Sequence, residues 1–241
     1  MFIDKNDRVV SLALILNGVW EEFETEVFKK NLKRGDVVLD IGANIGYHTL
    51  IAAEIVGNNG HVYAFEPDSK NFGVLKRNVE VNGYKNVILV NKALSDKNGV
   101  GKLFLSTEDN HGDFRIFGSN DDRKSVDIEL VRLDSFFGNH IPKINVIKID
   151  VQGAEALIFK GASKTLKAIK KIKVFTEFWP KALRLSGSSA EEYSHILMKN
   201  RFKIYEIDSS EKRMAEVSFQ KLFEKYPEDS LYNADLFCVK K

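Results

Sequence analysis

The sequence predicts an α/β fold with a mostly parallel sheet and helices on both of its faces. Three observations carry this prediction. From residue 36 onward, short apolar runs alternate with segments of helical periodicity. The first run ends in a tight turn with two glycines, which opens a helix. The chain has 241 residues, 44% of them hydrophobic, which is enough for one large domain with a substantial core. Strands that alternate with helices form parallel sheets covered on both faces.

The predicted elements follow one another in a regular order. In the second helix, Phe72, Leu75 and Val79 recur at helical spacing, and Gly83 lies where a C-cap glycine belongs. The predicted strands are Asp36–Ile41, His61–Glu66, Val87–Lys92, Asn145–Ile149, Lys173–Phe178, Phe202–Ile207 and Ala234–Val239. The predicted helices are Ile45–Val56, Asp68–Asn82, Ala154–Ala168 and Ala190–Lys199.

One segment interrupts this alternation. Val100–Ser106 and Ser125–Val131 are predicted to pair as antiparallel strands, so residues 100–131 form a β-hairpin insert in a single domain over residues 36–241. The insert encloses the polar stretch STEDNHGDFRIFGSNDDRK. Long polar insertions in a compact domain are usually functional or mobile.

Composition and charge exclude several classes of protein. The 36 basic and 34 acidic residues give a net charge of +2, so no global field calls for nucleic acid or an anionic membrane. Cys238 is the single cysteine, which excludes an internal disulfide and a zinc knuckle. The apolar run Val9–Leu16 is too short to span a bilayer, and Asp4 and Asp7 precede it where a signal peptide carries positive charge. We expect a buried strand or helix edge there, and a cytoplasmic protein. The oligomeric state stays open, a homodimer included.

The stretch VVLDIGANIGYHTL has the chemistry of a nucleotide-binding loop at the carboxyl end of the first strand. It lacks the lysine of a phosphate-binding Walker loop, and Asn44 stands where the dinucleotide fingerprint requires glycine. Asp40 adds a negative charge beside the turn, which suits a cationic ligand such as S-adenosylmethionine, with its ammonium and sulfonium. Glu66 ends the second strand, the expected place for a carboxylate that binds both ribose hydroxyls.

Four ordered blocks resemble the FkbM-type methyltransferases, a family of class I S-adenosylmethionine-dependent enzymes. The blocks are DIGANIGYHTL, GHVYAFEPDSKNFGVLKRNVEVNG, ILVNKALSD and VIKIDVQGAEALIFKGA, within roughly residues 20–180. The resemblance implies a Rossmann-like, seven-stranded sheet of order 3-2-1-4-5-7-6 with the last strand antiparallel. It also implies O-methylation of hydroxyls on sugars, polyketides and other natural products. Gln152 departs from the family, which more often has glutamate there.

The loop chemistry and the matched blocks together predict the cofactor site. Packing explains Ala93 and Leu94 equally well, and an ordinary tight turn is the alternative for the glycine loop. The predicted cofactor-binding residues are Asp40, Gly42, Ala43, Asn44, Gly46, Glu66, Pro67, Ala93, Leu94 and Asp150.

Three residues are predicted to act on the methyl acceptor. Asp150 and Glu177 end strands that the family's order makes neighbours, so the pair could orient a hydroxyl, take its proton or hold a metal ion. The alternative for Asp150 is a cap on the helix that starts near Ala154. His111, in the insert, is a candidate base, although a solvated loop histidine explains it as well. The sequence assigns no metal ligands.

The segment GVWEEFETEVF precedes the first strand of the domain and matches a short aromatic–acid block of the family. We expect the N-terminal segment, residues 1–35, to pack at the mouth of the active site. Within it, Glu21 or Glu22 is predicted to reach the mouth of the active site as a substrate-binding residue, and Trp20 and Phe23 are predicted to form the wall of that mouth.

Three alternatives stay open beside a small-molecule or glycan acceptor. An RNA methyltransferase needs a coherent basic surface, and only one lysine stripe is present, which is better explained as a solvated helix face. The stripe is Lys160, Lys164, Lys167, Lys170, Lys171 and Lys173. A non-catalytic protein that kept the cofactor site is the second alternative. A nicotinamide dehydrogenase is disfavoured by Asn44.

Overall fold

A computed structural model describes residues 1–4, 7–106, 114–116 and 123–240. The strands are β1 (Val37–Ile41), β2 (His61–Phe65), β3 (Val87–Val90), β4 (Ala93–Leu94), β5 (Gly99–Phe104), β6 (Ser125–Val131), β7 (Ile144–Ile149), β8 (Ile172–Phe178), β9 (Lys203–Asp208), β10 (Arg213–Glu216) and β11 (Ala234–Lys240). The helices are α1 (Val10–Asn17), α2 (Glu22–Asn31), α3 (Tyr47–Val56), α4 (Ser69–Val81), α5 (Leu133–Phe137), α6 (Glu155–Gly161), α7 (Ser163–Ala168), α8 (Pro180–Leu185), α9 (Ala190–Lys199) and α10 (Phe219–Lys225).

The main sheet confirms the predicted α/β class. Its strand order over the described residues is β10-β9-β11-β8-β7-β1-β2-β3, and β3, β2, β1, β7 and β8 pair in parallel. The strand β11 runs antiparallel to both β8 and β9, so the last strand is antiparallel as predicted. Numbered along the chain, the strands of this sheet have the order 3-2-1-4-5-8-6-7, which differs in detail from the predicted 3-2-1-4-5-7-6. The predicted count of seven strands is wrong, because β10 forms a hairpin with β9 and adds an eighth strand at the edge. All four residues of β10 are exposed, so no burial pattern marked it.

The antiparallel pair predicted in the insert is present. The strands β5 and β6 pair from Gly99↔Leu130 to Phe104↔Ser125, and β4 joins β6 in parallel. Within the described part of the insert, these three strands form a second sheet. One predicted helix differs, because the segment 154–168 forms two short helices, α6 and α7, that meet at Ala162.

The N-terminal apolar run is a helix rather than a strand, and it is mostly exposed. Within α1 only Val10 and Ser11 are buried, whereas Leu12, Ile15 and Leu16 are 41%, 60% and 71% exposed. The expected buried element is therefore wrong for most of the run. Among the residues that the structure describes, no helix is long and apolar enough to cross a membrane.

Helices cover both faces of the main sheet. On one face, α2 and α3 pack against Val38, Val146, Phe175 and Phe237 in a single apolar cluster. On the other face, α6 and α9 contribute to the largest cluster, which also contains Leu39, Ile147 and Val174. On the face that carries α2 and α3, the candidate site lies beyond the apolar residues, at the carboxyl ends of the parallel strands.

Candidate active site

The turn after β1 lies against the ends of β2 and β7. The backbone N–H groups of Gly42 and Ala43 donate to the carbonyl of Phe65, at 3.0 and 2.9 Å, which fixes the turn beside β2. Gly42 has a φ of 83°, and a Cβ atom added to it would lie 1.9 Å from the backbone oxygen of Asp150. Only glycine fits both the left-handed conformation and this close approach.

Gly46 has a different role from that of Gly42. It has a φ of 96° and precedes α3, and an added Cβ would lie 2.6 Å from Cδ1 of Leu75 on α4. The residue thus allows α3 and α4 to pack closely, and it is not among the residues that line the cavity beside the loop.

Two buried carboxylates border the loop, as the strand ends predicted. Thr49 donates its hydroxyl proton to Oδ2 of Asp40, and burial raises the pKa of Asp40 to about 6. Glu66 accepts hydrogen bonds from the backbone N–H groups of Asn44 (2.7 Å) and Asp68 (2.8 Å). Burial raises the pKa of Glu66, and the two backbone donors oppose that rise. The Glu66 carboxylate is therefore held rigidly at the end of β2.

A cavity of about 220 Å³ opens above this loop. Within it, Asn44 Oδ1 is buried and has no hydrogen-bond partner in the described part of the chain, so an acceptor is available to a ligand. Three apolar side chains of the insert also line the cavity, namely Leu103, Phe114 and Ile116. The sequence alone did not assign them to the site. The predicted residues that line the cavity are Asp40, Gly42, Ala43, Asn44, Glu66, Pro67, Ala93, Leu94, Asp150, Glu177, Trp20 and Glu21.

Charged side chains lie on the sheet face that carries α2 and α3, at the carboxyl ends of the parallel strands. Val38, Val146, Phe175 and Phe237 lie on this face, and residues two positions away along each strand share it, because side chains alternate. The register places Asp40 beside Lys148 and Glu177 beside Asp235. The charged residues of this row are Asp40, Lys148, Asp150, Glu177 and Asp235.

The structure brings Asp150 and Glu177 together through a third side chain. Gln152 Nε2 donates to Oδ1 of Asp150 and to Oε2 of Glu177, at 3.2 Å each, and Asn233 donates to Oε1 of Glu177 at 2.9 Å. Burial and the nearby Asp150 raise the pKa of Glu177 well above its ordinary value. Asp150 does not cap α6, because the N-cap residue Ala154 has no side-chain cap bond and Asp150 faces Gln152 and Lys148 instead.

Lys148 is the main residue that the sequence analysis missed. Its side chain is 5% exposed, and its Nζ lies 3.4 Å from Asp150 Oδ2 and 3.5 Å from Glu24 Oε1. Burial opposes its charge, but the surrounding carboxylates, Glu24 first, raise its pKa well above the ordinary value. A charged residue within the apolar strand VIKID, two positions before Asp150, was the available signal.

The two candidate glutamates at the cavity mouth, Glu21 and Glu22, lie in different surroundings. Glu21 lines the cavity, and burial together with the nearby Glu24 raises the pKa of Glu21. Glu22 points to the surface, where its carboxylate pairs with Lys212 at 2.9 Å. The structure therefore does not support the predicted position of Glu22 at the mouth. Trp20 lines the cavity beside Glu21.

Two histidines bear on the site, His111 and His48, and the structure describes only the second of them. His111 lies outside the described residues. His48 lines the cavity and packs edge-on against Phe28 and Tyr47, with ring centroids 5.2 and 5.0 Å away. Burial, reinforced by nearby Lys148, lowers the pKa of His48 well below its ordinary value, so the ring is neutral. Among the described residues, no group of three or more histidine, cysteine or acidic side chains is arranged to hold a metal ion.

The fold and the loop have the architecture of the class I methyltransferases. The profile of the methyltransferase FkbM domain matches residues 40–222, and the chain belongs to this family. Membership confirms the family, the fold class and the S-adenosylmethionine-dependent methyltransferase class that the sequence predicted. The donor set fits that cofactor, because Asp40 and Glu66 offer carboxylates and Asn44 offers an unpartnered acceptor in one cavity.

Individual similar proteins match only parts of this chain. The hexuronic acid methyltransferase AglP of Haloferax volcanii is 29% identical over 135 residues, which cover 56% of this chain and 53% of that protein. Protein-L-isoaspartate O-methyltransferase 1 of Archaeoglobus fulgidus is 40% identical over 60 residues, which cover 25% of this chain and 28% of that protein. The chain thus spans about half the length of the first relative and about a quarter of the second.

A solved structure shows the same fold. SMU.1697c from Streptococcus mutans, determined in complex with S-adenosylhomocysteine, aligns with a TM-score of 0.52 over 91% of this chain and 97% of its own. The two sequences are 9% identical, so the likeness concerns the fold alone.

Proposed function

We propose that the protein transfers a methyl group from S-adenosylmethionine to a hydroxyl of a sugar or another small molecule. The observation that carries this proposal is the Asp150–Gln152–Glu177 group, which lies in the same cavity as the cofactor loop. The similarity to a hexuronic acid methyltransferase supports a sugar-type acceptor.

The residues of this chain have separate parts in the proposed reaction. Asp40, Glu66 and residues 42–45 of the turn would hold the cofactor, which would supply a methyl group already activated on its sulfonium. The acceptor oxygen would take the methyl carbon from the cofactor, whose sulfur would keep the electron pair of the broken carbon–sulfur bond. The Asp150 carboxylate accepts the hydroxyl proton and later releases it to water. Most of the rate enhancement then comes from positioning the two reactants in line.

Replacing Asp150 by asparagine tests the proton-accepting role. We expect methyl transfer to fall by about 100-fold or more, the usual contribution of a general base, while S-adenosylhomocysteine still binds. Transfer is measured with isotopically labelled S-adenosylmethionine and a panel of sugars that includes neutral, amino and uronic forms. Glu22→Gln, a change on the surface outside the cavity, is the control. Wild-type turnover in the Asp150 variant contradicts the role. If the wild-type protein binds S-adenosylmethionine but transfers its methyl group to no acceptor of the panel, the non-catalytic alternative is favoured.

Thermal unfolding tests the cofactor. Because a ligand at 100 times its Kd adds about 2.7 kcal/mol to the free energy of unfolding, S-adenosylmethionine and S-adenosylhomocysteine should each raise the Tm by roughly 5–10 °C. NAD should leave the Tm unchanged. A shift with NAD alone would overturn the assignment of the loop.

The pH dependence of cofactor binding follows from Asp40. Its pKa in the folded protein, about 6, lies above the ordinary 3.8, so Asp40 is mostly protonated at pH 5 and ionised at pH 7.5. Affinity for the cationic cofactor should therefore fall by up to about tenfold between pH 7.5 and pH 5, and Asp40→Asn should remove this part of the dependence. The same rise in pKa makes Asp40 lower the free energy of unfolding as pH rises from about 4 to 6. The reason is that Asp40 loses its proton at a lower pH in the unfolded chain than in the folded protein. Calorimetric titration at the two pH values checks the binding, and an unchanged pH profile in Asp40→Asn contradicts the assignment.

A further inference from the structure

A lysine in the middle of a covered sheet needs a physical reason, because burying an ammonium group is costly unless it is paired. Lys148 lies on β7 between β1 and β8, and its side chain is 5% exposed. The main-sheet row around it otherwise consists of acids, Asp40, Asp150, Glu177 and Asp235.

The helix α2 supplies the anchor of this lysine. Val27 and Phe28 are buried against the sheet, and Glu24 lies three and four residues earlier on the same side of the helix. The same packing that buries Phe28 therefore directs Glu24 to the sheet, where its carboxylate meets Nζ of Lys148 at 3.5 Å. Glu24 and Lys148 are 124 positions apart in the chain, so only the fold brings them together.

The carboxylate of Asp150 is held from both sides. Lys148 approaches Oδ2 at 3.4 Å, and Gln152 donates to Oδ1 at 3.2 Å. The Asp150 side chain is nevertheless 34% exposed, and it lines the cavity together with the cofactor loop. It is thus fixed by its neighbours while part of the carboxylate stays open to a ligand.

We propose that Lys148 is a positioning residue of the methyl-transfer site, which uses Glu24 as its anchor to hold the Asp150 carboxylate toward the bound sulfonium. The inference rests on the proposed placement of the cofactor in this cavity, and it is independent of the acceptor. The alternative is a lysine that only adds positive charge to the wall. The two roles have opposite consequences for binding, because a bare positive charge repels a sulfonium, whereas a well-placed Asp150 attracts it.

The test compares S-adenosylmethionine with S-adenosylhomocysteine, which differ in the charge on sulfur. The measured quantity is the ratio of their two Kd values, obtained by calorimetric titration of the full chain. In Lys148→Met the preference for S-adenosylmethionine should fall by about 3- to 10-fold, the size expected for one charge pair in a partly wet site. Glu24→Gln should lower it in the same direction by a smaller factor. Lys212→Met, which removes a charge paired with Glu22 outside the cavity, is the matched control and should leave the ratio unchanged.

A double-mutant cycle shows whether Lys148 acts through Asp150. Asp150→Asn should lower the preference by a similar factor, and adding Lys148→Met to it should cause no further loss. A higher preference in Lys148→Met, additive losses in the double variant, or an unchanged ratio in either single variant would overturn the proposal. The double variant Lys148→Met/Glu24→Gln leaves no unpaired charge at the contact between residues 24 and 148. It replaces Lys148→Met in the measurement if the single variant does not fold. No acceptor is used, so a failed acceptor screen leaves this result intact.

Discussion

Gly42→Ala should lower the Tm by roughly 5–15 °C and abolish measurable cofactor binding. A left-handed conformation costs a residue with a Cβ about 1 kcal/mol, and overpacking adds about 1–3 kcal/mol. Here the added Cβ would lie 1.9 Å from the Asp150 backbone oxygen, so the β1 turn and the end of β7 must separate. Separation displaces the turn and the Asp150 carboxylate together, which removes both sides of the proposed site.

Gly35→Ala is the matched control for this prediction. Gly35 has a φ of 82°, almost the same as Gly42, but an added Cβ meets no atom within 4 Å. It should therefore carry the conformational cost alone, about 1 kcal/mol or roughly 2–4 °C in Tm, and bind the cofactor normally. Equal losses in the two variants would mean that the close approach to Asp150 is not what requires glycine.

Glu66→Gln should weaken the binding of S-adenosylmethionine and of S-adenosylhomocysteine by the same factor, about 10- to 100-fold, as expected when the two hydrogen bonds proposed between this side chain and the ribose are lost. Both carboxylate oxygens of Glu66 accept backbone N–H groups, from Asn44 and Asp68. A glutamine must turn its amide nitrogen toward one of these donors, which moves the side chain away from the position proposed for the ribose. The ribose is common to both ligands, so their ratio should stay constant.

Calorimetric titration with the two ligands checks the Glu66 prediction. The exposed Glu80 on α4 offers a control, because Glu80→Gln removes a carboxylate without touching the cavity. A change in the ratio of the two affinities in Glu66→Gln would place Glu66 near the sulfur instead of the ribose. Unchanged affinities would remove it from the cofactor site.

Local patterns in the sequence were sufficient for much of the fold and for one side of the site. The glycine turn, Asp40 and Glu66 follow strands whose apolar runs are contiguous, and parallel strands end at the same edge of a sheet. Their convergence on one cavity therefore followed from the alternation of strands and helices. The predictions were wrong for the exposed strand β10, which was not predicted, and for the helix α1, which was expected to be buried. Burial depends on neighbours in space, and a local pattern does not specify them.

The sequence by itself determined the α/β class, the family, and the acids that border the cofactor turn, because each depends on short-range spacing. Only the tertiary structure decided that Gln152 joins Asp150 to Glu177, that Glu24 reaches Lys148, and that Glu22 turns away to Lys212. Apart from the short Asp150–Gln152 step, these contacts join residues far apart in the chain. Their partners are chosen by how α2 and the strand ends pack, which no spacing along the sequence records.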